Sequence, residues 1–379
     1  MLLRDRALFI PHEHYGLQIS RRRPDPAMLR PIKRVMLQLL RSCGVFELAA
    51  NSRWRQQRLL ILCYHGISLE DEHLWRPGLY LPPDVLAQRL DSLKKGGYSV
   101  VGLSDGLERL RSGTLPARSV AITFDDGTYD FYRQAYPRLR AFGFPVTVYQ
   151  TTYYTEHPYP VFNLICSYML WKRRGEVLRE CPELGINHLP DLRSELGRHK
   201  VVRSLIDSAA RKNMSGPHKD ELAAKLAQLL GIDYEQLKAK RILQLMNEQE
   251  LRQIASDGVD IQLHSHRHRT PDDDSLFRRE IRDNRERIQR WTGADATHFC
   301  YPSGVYRSHF LTWLRDERVV SATTCDAGLV TRSSDPLLLP RFVDTQGRTQ
   351  AEFESWLSGI GDLLAFRRVA AQAYVPDNH

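Results

Sequence analysis

This sequence lacks paired cysteines, long apolar runs and a secretory leader. Its six cysteines stand apart, and no Cys-x-x-Cys pair occurs, which argues against a zinc knuckle or a dithiol redox motif. No stretch approaches the roughly 18–20 apolar residues that span a bilayer. Residues 1–23 mix arginines with apolar residues and show neither the apolar run nor the cleavage site of a secretory signal. We therefore expect a cytoplasmic protein with reduced cysteines.

Internal repeats and low-complexity tracts are also missing, so the 379 residues have room for one large α/β domain with additions. A hydrophobic share of 42% is enough for a sizeable core, and the net charge is +9. The positive excess predicts either an ordinary basic surface or attraction to an anionic partner, such as a phosphate-bearing glycolipid or a membrane face. The basic residues are not interleaved with aromatic ones in a recognisable module, so we expect no nucleic-acid partner.

Residues 1–57 form a predicted leader followed by an amphipathic helix. Apolar residues recur at helical spacing between Ala27 and Ala50, and basic residues lie on or near the opposite face. Two interpretations stay open. The helix packs on the globular domain, or it rests on an anionic membrane surface as a peripheral contact at the inner face. The basic residues in question are Arg30, Lys33, Arg34 and Arg41.

Residues 58–345 alternate predicted strands and helices, which indicates parallel pairing in a barrel or an open sheet. A helical insertion is predicted at about 151–246, where no convincing strand occurs and the length excludes an ordinary loop. A final helix, Glu352 to Arg368, is predicted in the C-terminal segment 346–379. The strands predicted from short apolar runs are 59–64, 98–101, 119–124, 144–150, 259–263, 297–300, 319–324 and 337–341.

Two adjacent carboxylates, Asp125 and Asp126, follow the predicted strand 119–124 directly and precede Gly127. The carboxyl ends of parallel strands are where α/β folds carry their chemistry. One carboxylate can hold a metal while the other accepts a proton from a water that the metal activates. The alternative is a turn that caps the next helix.

Two histidines, His264 and His268, follow the predicted strand 259–263. With one carboxylate they give a His₂Asp ligand set, a common arrangement for catalytic zinc with an open position. The alternative for a histidine-rich pentapeptide in a basic protein is a surface patch. Since the acidic pair and the histidines both follow buried strands, we expect them at the same edge of one sheet or barrel.

The pentapeptide Thr-Phe-Asp-Asp-Gly at residues 123–127, with the later His-Ser-His-Arg-His at 264–268, resembles the motifs of the polysaccharide deacetylases, also called carbohydrate esterase family 4 or the NodB-homology domain. The resemblance runs from about 60 to 342 and is interrupted by the insertion. It implies a distorted (β/α)7 barrel. It also implies hydrolysis of an N-acetyl group on a sugar with a divalent metal, zinc in the first place and cobalt or nickel as alternatives.

By position, the resemblance makes Asp125 the general base and Asp126, with His264 and His268, the metal ligands. The family's third motif corresponds to residues 301–304, whose backbone N–H helps to hold the oxyanion. The usual arginine of that motif is absent, and Arg341 at the end of a late predicted strand is our candidate substitute. The four residues of the third motif are Tyr301, Pro302, Ser303 and Gly304.

The family's usual acid, a histidine in a Leu-x-His motif near the domain's end, is also missing. Residues 64–67, Tyr-His-Gly-Ile, resemble the Tyr-His motif of a circularly permuted branch that includes poly-N-acetylglucosamine deacetylases. The resemblance makes His65 the proton donor to the leaving amine. His266 has no assigned role and is structural or supports the ligands.

Two other functions stay open at this point. One is another metal-dependent amidohydrolase, because His-x-His pairs also occur in those barrels. The other is a catalytically degenerate barrel that binds a glycan or a protein partner. Our leading expectation is a deacetylase acting on an N-acetylated polysaccharide, oligosaccharide or lipid-linked sugar, since a cytoplasmic site suits a lipid-linked or nucleotide-linked precursor.

Overall fold

A computed structural model describes residues 26–184, 186 and 190–365 of the chain. Short strands alternate with helices along the chain, as expected of an α/β fold. The strands are β1 (Leu60–Tyr64), β2 (Gly66–Ile67), β3 (Tyr80–Leu81), β4 (Ser99–Val100), β5 (Ser119–Phe124), β6 (Thr147–Gln150), β7 (Asp260–Leu263), β8 (His298–Cys300), β9 (Ser321–Thr323) and β10 (Phe342–Val343).

The main sheet is parallel throughout and curls toward a barrel. Its strands follow the order β10-β1-β5-β6-β7-β8-β9, and β4 pairs additionally with β5. Thr323 of β9 forms a parallel bridge with Leu339, three residues before β10 begins, and β10 itself pairs with β1. The last segment therefore draws the two edges of the sheet together, and the predicted seven-strand barrel is confirmed in architecture.

Burial on both faces of the sheet explains why β1 and β5 lie in its middle. Every residue of β1 and β5 is buried, as the continuous apolar runs predict for strands in the middle of a parallel sheet. The α-helices cover the sheet, build the insertion described below or lie near the ends of the described chain. They are Pro26–Ser42, Val45–Ala50, Arg53–Gln56, Glu72–Trp75, Pro83–Lys95, Leu103–Ser112, Tyr136–Phe142, Tyr153–Glu156, Phe162–Lys172, Glu195–Arg211, Gly216–Leu229, Tyr234–Ala239, Glu248–Ser256, Asp274–Thr292, Ser308–Asp316, Gln350–Ser358 and Ile360–Leu364.

The segment predicted as an insertion, 151–246, is helical and has an apolar cluster of its own. Leu205, Leu226 and Tyr168 lie in that cluster, and it also contains Tyr80 of β3. Lys172 pairs with Asp71 at 2.7 Å, so the helix Phe162–Lys172 contacts the segment that follows β2. The insertion is thus built against the loop that leaves the first barrel strand.

Several predicted bounds are wrong for identifiable reasons. The N-terminal helix predicted from about 27 to 50 breaks at Gly44, and the final helix predicted from Glu352 to Arg368 breaks at Gly359. Residues 366–379 and 1–25 lie outside the described residues. The sequence also predicts a helix from Tyr129 to Gly143, and the structure has one wide turn, Phe131–Ala135, before the α-helix Tyr136–Phe142. The late strand predicted at 337–341 forms at 342–343 instead.

The helix Pro26–Ser42 packs through Leu37 and Leu40, together with Phe46, on the helix Gln350–Ser358. Its other side carries an exposed apolar stripe. Within the described part of the chain, none of the helices combines the length and apolar character needed to cross a membrane. The exposed fractions in the stripe and in the following helix are 66% for Ile32, 62% for Val35, 61% for Leu39 and 74% for Leu48.

Candidate active site

Several predicted site residues follow the carboxyl ends of three barrel strands. Asp125 and Asp126 follow β5, His264 follows β7, and His65 follows β1. The backbone N–H of Asp125 donates to the carbonyl of Tyr64 at 2.9 Å, which continues the pairing of β1 and β5 past their ends. The parallel arrangement therefore gathers these side chains at one rim, as the sequence predicts.

Asp126, His264 and His268 form a compact cluster of three ligand atoms. The Nε2 atoms of both histidines lie 3.1 Å from the same carboxylate oxygen, Oδ1 of Asp126. All three ligand atoms lie within 4.8 Å of one another. The i, i+4 spacing does not come from a helix, because residues 264–268 form a loop after β7.

The donor set of this cluster fits a cation. His264 Nδ1 lies 2.9 Å from the carbonyl oxygen of Cys300, so in the neutral ring Nδ1–H donates there and Nε2 carries a lone pair. That lone pair and the Asp126 oxygen are both acceptors, and they face each other. Two ligands of a tetrahedral zinc stand about 3.3 Å apart, close to the distance seen here. The carbonyl of Cys300 also acts as the outer partner that usually orients a ligating histidine.

Asp126 is held ionised in this cluster. Burial by itself would raise the pKa of its carboxyl group. The charge of His268 and hydrogen bonds from both histidines outweigh burial and hold that pKa well below its usual range. Asp126 therefore offers a charged oxygen ligand at neutral pH.

Asp125, the other acid of the pair, forms a buried ion pair with Arg341. The two guanidinium nitrogens Nη1 and Nη2 donate to Oδ1 and Oδ2 of Asp125 at 2.7 and 2.8 Å. Arg341 is fully buried, and its Nε donates to the carbonyl of Thr324 at 2.9 Å. This two-point contact is the geometry that orients a carboxylate most firmly. The arginine that the third motif lacks is thus matched in space by Arg341.

The protonation of Asp125 follows from this pair. Burial favours the neutral acid, but the charge and hydrogen bonds of Arg341 outweigh it, so the pKa of Asp125 lies well below its ordinary value. Two thiols complete its surroundings, with Sγ of Cys300 at 3.4 Å and Sγ of Cys63 at 3.5 Å from Oδ2. Asp125 is therefore an ionised carboxylate able to accept a proton.

His65 lies on the other side of Asp125. Its Nε2 is 3.7 Å from Oδ2 of Asp125, and about a fifth of its side chain is exposed. An imidazole that borders both the carboxylate and solvent can deliver a proton at the rim of the barrel. The structure thus brings His65 together with the acidic pair, although it precedes them by sixty residues.

The third motif, residues 301–304, forms a short turn after β8. Tyr301 is buried, its N–H donates to the carbonyl of Thr323 at 3.2 Å, and Gly304 N–H donates back to Tyr301. Pro302 has no N–H. These bonds leave the N–H of Ser303, whose φ is +57°, as the candidate oxyanion donor of the four residues. The predicted oxyanion donor is therefore a single candidate, the backbone N–H of Ser303.

Two residues that the sequence prediction missed hold the histidine loop. Asn284 accepts from the His264 N–H at 2.9 Å and donates to the carbonyl of Gln150 at 2.9 Å. Glu280 accepts from the N–H of Arg267 at 2.8 Å and is buried. Both lie on the inward side of the helix Asp274–Thr292. The signal available in the sequence was two polar residues, four apart, aligned with the apolar positions of that helix.

Three residues of this site have unusual backbone conformations. Asp126, Ser265 and His268 have positive φ values of 71°, 58° and 52°, a region that non-glycine residues rarely adopt. Such conformations persist where the surroundings enforce them, typically at functional sites. Gly127 has a φ of +74°, and a Cβ there would lie 1.8 Å from Oε1 of Gln150. The acidic turn therefore requires glycine at this position.

His266, which had no predicted role, does not join the ligand cluster. Its Nδ1 lies 2.9 Å from the hydroxyl of Thr152, and its carbonyl accepts from the N–H of Tyr153 at 2.8 Å. Burial and the nearby charge of Arg287 lower the pKa of His266 to about 2, so the ring stays neutral. His266 supports the loop from behind.

Comparison with known proteins gives a consistent result. The family model described as polysaccharide deacetylase matches residues 112–187 and 228–318. Over 100 residues the chain is 30% identical to the poly-beta-1,6-N-acetyl-D-glucosamine N-deacetylase of Escherichia coli K12, a stretch that covers 26% of this chain and only 15% of that relative. The match thus spans a small part of the curated relative's length.

Two solved structures are similar to this chain. The Streptococcus pyogenes deacetylase PplD, solved with acetate, aligns with a TM-score of 0.53 and 17% identity, covering 80% of this chain and 97% of that one. IcaB from Ammonifex degensii aligns with a TM-score of 0.49 and 17% identity, covering 80% of this chain and 97% of that one. The first of these supports the barrel, and the assignment to the permuted branch stays a prediction.

Proposed function

From the premise that this chain is a member of the polysaccharide deacetylase family, we propose that it hydrolyses the N-acetyl group of a carbohydrate. The observation that carries the proposal is the pairing of two differently held carboxylates at one rim. Asp126 lies with two histidines in a ligand cluster, while Asp125 is fixed by Arg341. Adjacent acids with separate tasks are what a metal-assisted hydrolysis requires.

The reaction divides among the chain's residues as follows. Asp125 accepts a proton from the attacking water, since Arg341 keeps its carboxylate ionised and aimed. The N–H of Ser303 lies in the turn expected to hold the developing oxyanion. His65 delivers a proton to the departing amine, because an amine leaves poorly as an anion. The products are acetate and the free amino sugar.

Asp126, His264 and His268 are the residues that would hold a divalent cation, for which zinc is our first choice and cobalt or nickel the alternatives. A cation held there would supply Lewis-acid polarisation of the acetyl carbonyl and would make a neighbouring water more acidic. Three protein ligands leave room for water or substrate, as in other catalytic zinc sites.

The alternative of a degenerate binding barrel is less well supported. The reason for considering it was the missing arginine of the third motif. Arg341 contacts both oxygens of Asp125 and so places a guanidinium at that carboxylate. A different amidohydrolase is disfavoured because His266 turns away from the ligand cluster toward Thr152. That leaves no His-x-His pair at the site.

The decisive experiment measures bound metal and acetate release together. Wild type, Asp126→Ala and the surface control Asp105→Ala would be tested with zinc, cobalt and nickel on N-acetylated oligosaccharides. We expect about one equivalent of metal and acetate release in wild type and control, and loss of both in Asp126→Ala. Bound metal without acetate release from any substrate would point to another hydrolase, and wild type without metal would contradict the mechanism.

We also propose that the protein works in the cytoplasm, at the inner face of the membrane, on sugar that is polymeric or carried by lipid. The outward apolar stripe of the helix Pro26–Ser42, with Lys33 exposed beside it, supports a peripheral contact with anionic lipid. Six free cysteines agree with a reducing compartment.

Vesicle binding tests this localisation. We expect the protein to sediment with vesicles of anionic phospholipid at low salt, and Leu39→Glu to weaken that binding, whereas Leu196→Glu, at another exposed leucine, leaves it unchanged. Binding that Leu39→Glu does not alter would contradict the assigned surface. A dimer of wild type that Leu39→Glu dissociates would show that the stripe meets a second copy instead.

A further inference from the structure

Asp130 is a buried carboxyl group at the rim for which the mechanism gives no task. It follows the metal ligand Asp126 by four residues and begins the wide helical turn Phe131–Ala135. Only 4% of it is exposed. Its Oδ1 accepts two hydrogen bonds, from the N–H of Ile67 at 2.8 Å and from the hydroxyl of Thr128 at 2.9 Å. The carboxyl group therefore joins the loop after β5 to the short strand β2, which follows His65.

The N–H of Ile67 depends on this carboxyl group. In the β2–β3 pair, the N–H groups of Gly66 and Ser68 donate to the carbonyls of Leu79 and Leu81, at 3.0 and 2.9 Å. The N–H of Ile67 lies between them and points away from β3, because strand N–H groups alternate in direction. Ile67 is fully buried, so without Asp130 its N–H would lose its partner.

The same short strand is confined on its other side. A Cβ added to Gly66 would lie 2.1 Å from Cε1 of Tyr80, so the ring of Tyr80 packs directly on the backbone next to His65. Tyr80 itself belongs to the apolar cluster of the insertion. The segment that carries His65 is thus fixed between Asp130 and the insertion.

The loop that carries Asp130 is itself held firmly. Tyr129 N–H donates to the carbonyl of Gln244 at 2.9 Å, and Met246 N–H donates to the carbonyl of Gly127 at 3.0 Å. These bonds join the end of the insertion to the acidic turn. Asp130 is therefore a rigid point relative to Asp125 and Asp126, against which the position of His65 can be set.

We propose that Asp130 is a positioning residue for proton delivery, which holds the backbone beside His65 so that the imidazole stays at the rim next to Asp125. The inference rests on the proposed function, because it gives His65 the task of protonating the amine. The 3.7 Å between His65 Nε2 and Asp125 Oδ2 is the distance that Asp130 maintains. Small displacements of a proton donor are costly, since its transfer needs hydrogen-bond reach.

A comparison of two substrates separates positioning from a general structural effect. An N-acetylated oligosaccharide needs a proton on its leaving amine, whereas an aryl acetate releases a phenolate without one. For Asp130→Ala we expect about a 10- to 100-fold loss of kcat on the amide. On the aryl acetate we expect less than about a threefold change, and we expect unchanged zinc content. His65→Ala should show the same selectivity.

Asparagine provides the conservative control. Burial raises the pKa of Asp130 to about 8, so at pH 7 the carboxyl group is largely neutral, and the amide of Asp130→Asn reproduces its shape and its acceptor oxygen. We expect Asp130→Asn to restore most of the amide activity. In a His65→Ala background, Asp130→Ala should cost no more than about a further twofold, since the group it positions is gone.

Equal losses on both substrates, or a full additional loss in the His65→Ala background, would overturn the inference. If Asp130→Ala does not fold, Thr128→Val serves in its place, because it removes the second hydrogen bond to the same oxygen and should give a smaller selective loss. Wild type that binds zinc and cleaves neither substrate would overturn the proposed function and the inference with it. Wild type active on both, with an unselective Asp130→Ala, would overturn the inference alone.

Discussion

At the scale of single residues, the buried pair of Asp125 and Arg341 joins side chains that lie 216 positions apart. Arg341→Met removes the charge that keeps Asp125 ionised, and burial then raises the carboxyl pKa. A base must be deprotonated, so the acidic limb of the profile of kcat/KM against pH should move to higher pH. We expect activity near pH 6 to fall about 100-fold or more, measured as acetate release from pH 5 to 9.

Arg341→Lys is the matched control for this change. It retains a positive charge but cannot contact both carboxylate oxygens, so the acidic limb should move less while kcat still falls. Because loss of one member of a buried ion pair costs about 3–5 kcal/mol of stability, thermal unfolding would be recorded for each variant. A folded Arg341→Met enzyme with an unshifted acidic limb would contradict the role of the pair.

The candidate metal ligand His264 gives a second prediction at this scale, on the pH dependence of metal binding. Burial would lower its pKa, but Cys300 and Asp126 beside the ring outweigh burial and raise that pKa well above the ordinary value. The protein without metal therefore binds a proton that a metal must displace. We expect zinc affinity to rise with pH through the neutral range, by up to about tenfold per unit for one proton released.

Zinc titrations with a competing chelator from pH 6 to 8 would measure this dependence, and proton release on binding would be measured in weakly buffered solution. Affinity that does not change with pH would contradict the prediction. His266, whose ring stays neutral, gives the control variant His266→Asn, in which the slope with pH should be retained.

The single residues of the site were largely predictable from the sequence. Asp125, Asp126, His264 and His268 each follow a buried strand, and parallel pairing is enough to bring strand ends together. Ser303 could not be distinguished from its neighbours, because which N–H is already bonded depends on the pairing of β8 with β9. The role of Asp130 could not be predicted for a similar reason, since its partner Ile67 lies in a separate strand, β2.

At the scale of elements, the helix Asp274–Thr292 illustrates what a pattern omits. Its charged, amphipathic sequence predicts a helix over residues 275–292, and the structure has one at Asp274–Thr292. The pattern does not show that Asn284 accepts a hydrogen bond from the backbone N–H of His264. Nor does it show that the Asn284 amide donates to Thr152 Oγ1 at 3.0 Å, the hydroxyl that contacts His266. Whether a polar residue on the inner face is buried can be determined only once the position of the neighbouring loop is known.

This role of the helix predicts the effect of Asn284→Ala. The variant leaves the His264 N–H without a partner and loosens the loop that sets both histidines, so zinc affinity should fall about 10- to 100-fold, as for other supports of metal ligands. Arg290→Ala, an exposed change on the same helix, should leave the affinity unchanged. Equal zinc affinities for Asn284→Ala and wild type would contradict a supporting role of the helix.

Predicted element bounds fail where the chain interrupts its own pattern. The apolar run Leu337–Leu339 predicts a strand, but Pro340 cannot donate to a ladder, so Leu339 bridges β9 while pairing with β1 starts only at Phe342. Gly44 and Gly359 end helices whose apolar spacing continues beyond them. The spacing of apolar residues shows which face of a helix is apolar, whereas the point at which a helix ends depends on single residues.

At the scale of the whole molecule, the site is complete only when the barrel is closed. Arg341 lies between the residue that bridges β9 and the residue that pairs with β1, so it reaches the interior only when the two edges of the sheet meet. The ligand cluster spans β5 and β7 in the same way. A metal that bridges these strands should therefore bind the folded chain and not the unfolded one.

This coupling predicts that zinc stabilises the molecule. A ligand specific for the folded state adds about 2.7 kcal/mol to the free energy of unfolding at a free concentration of 100 times its Kd. We expect zinc to raise the unfolding temperature of wild type by several degrees, and to have no such effect on His264→Ala. His298→Ala would serve as the matched control, because this histidine is bonded to Ser321 and lies outside the ligand cluster. A zinc-induced shift of equal size in His264→Ala would mean that the metal binds elsewhere, and that the rim of the barrel folds without it.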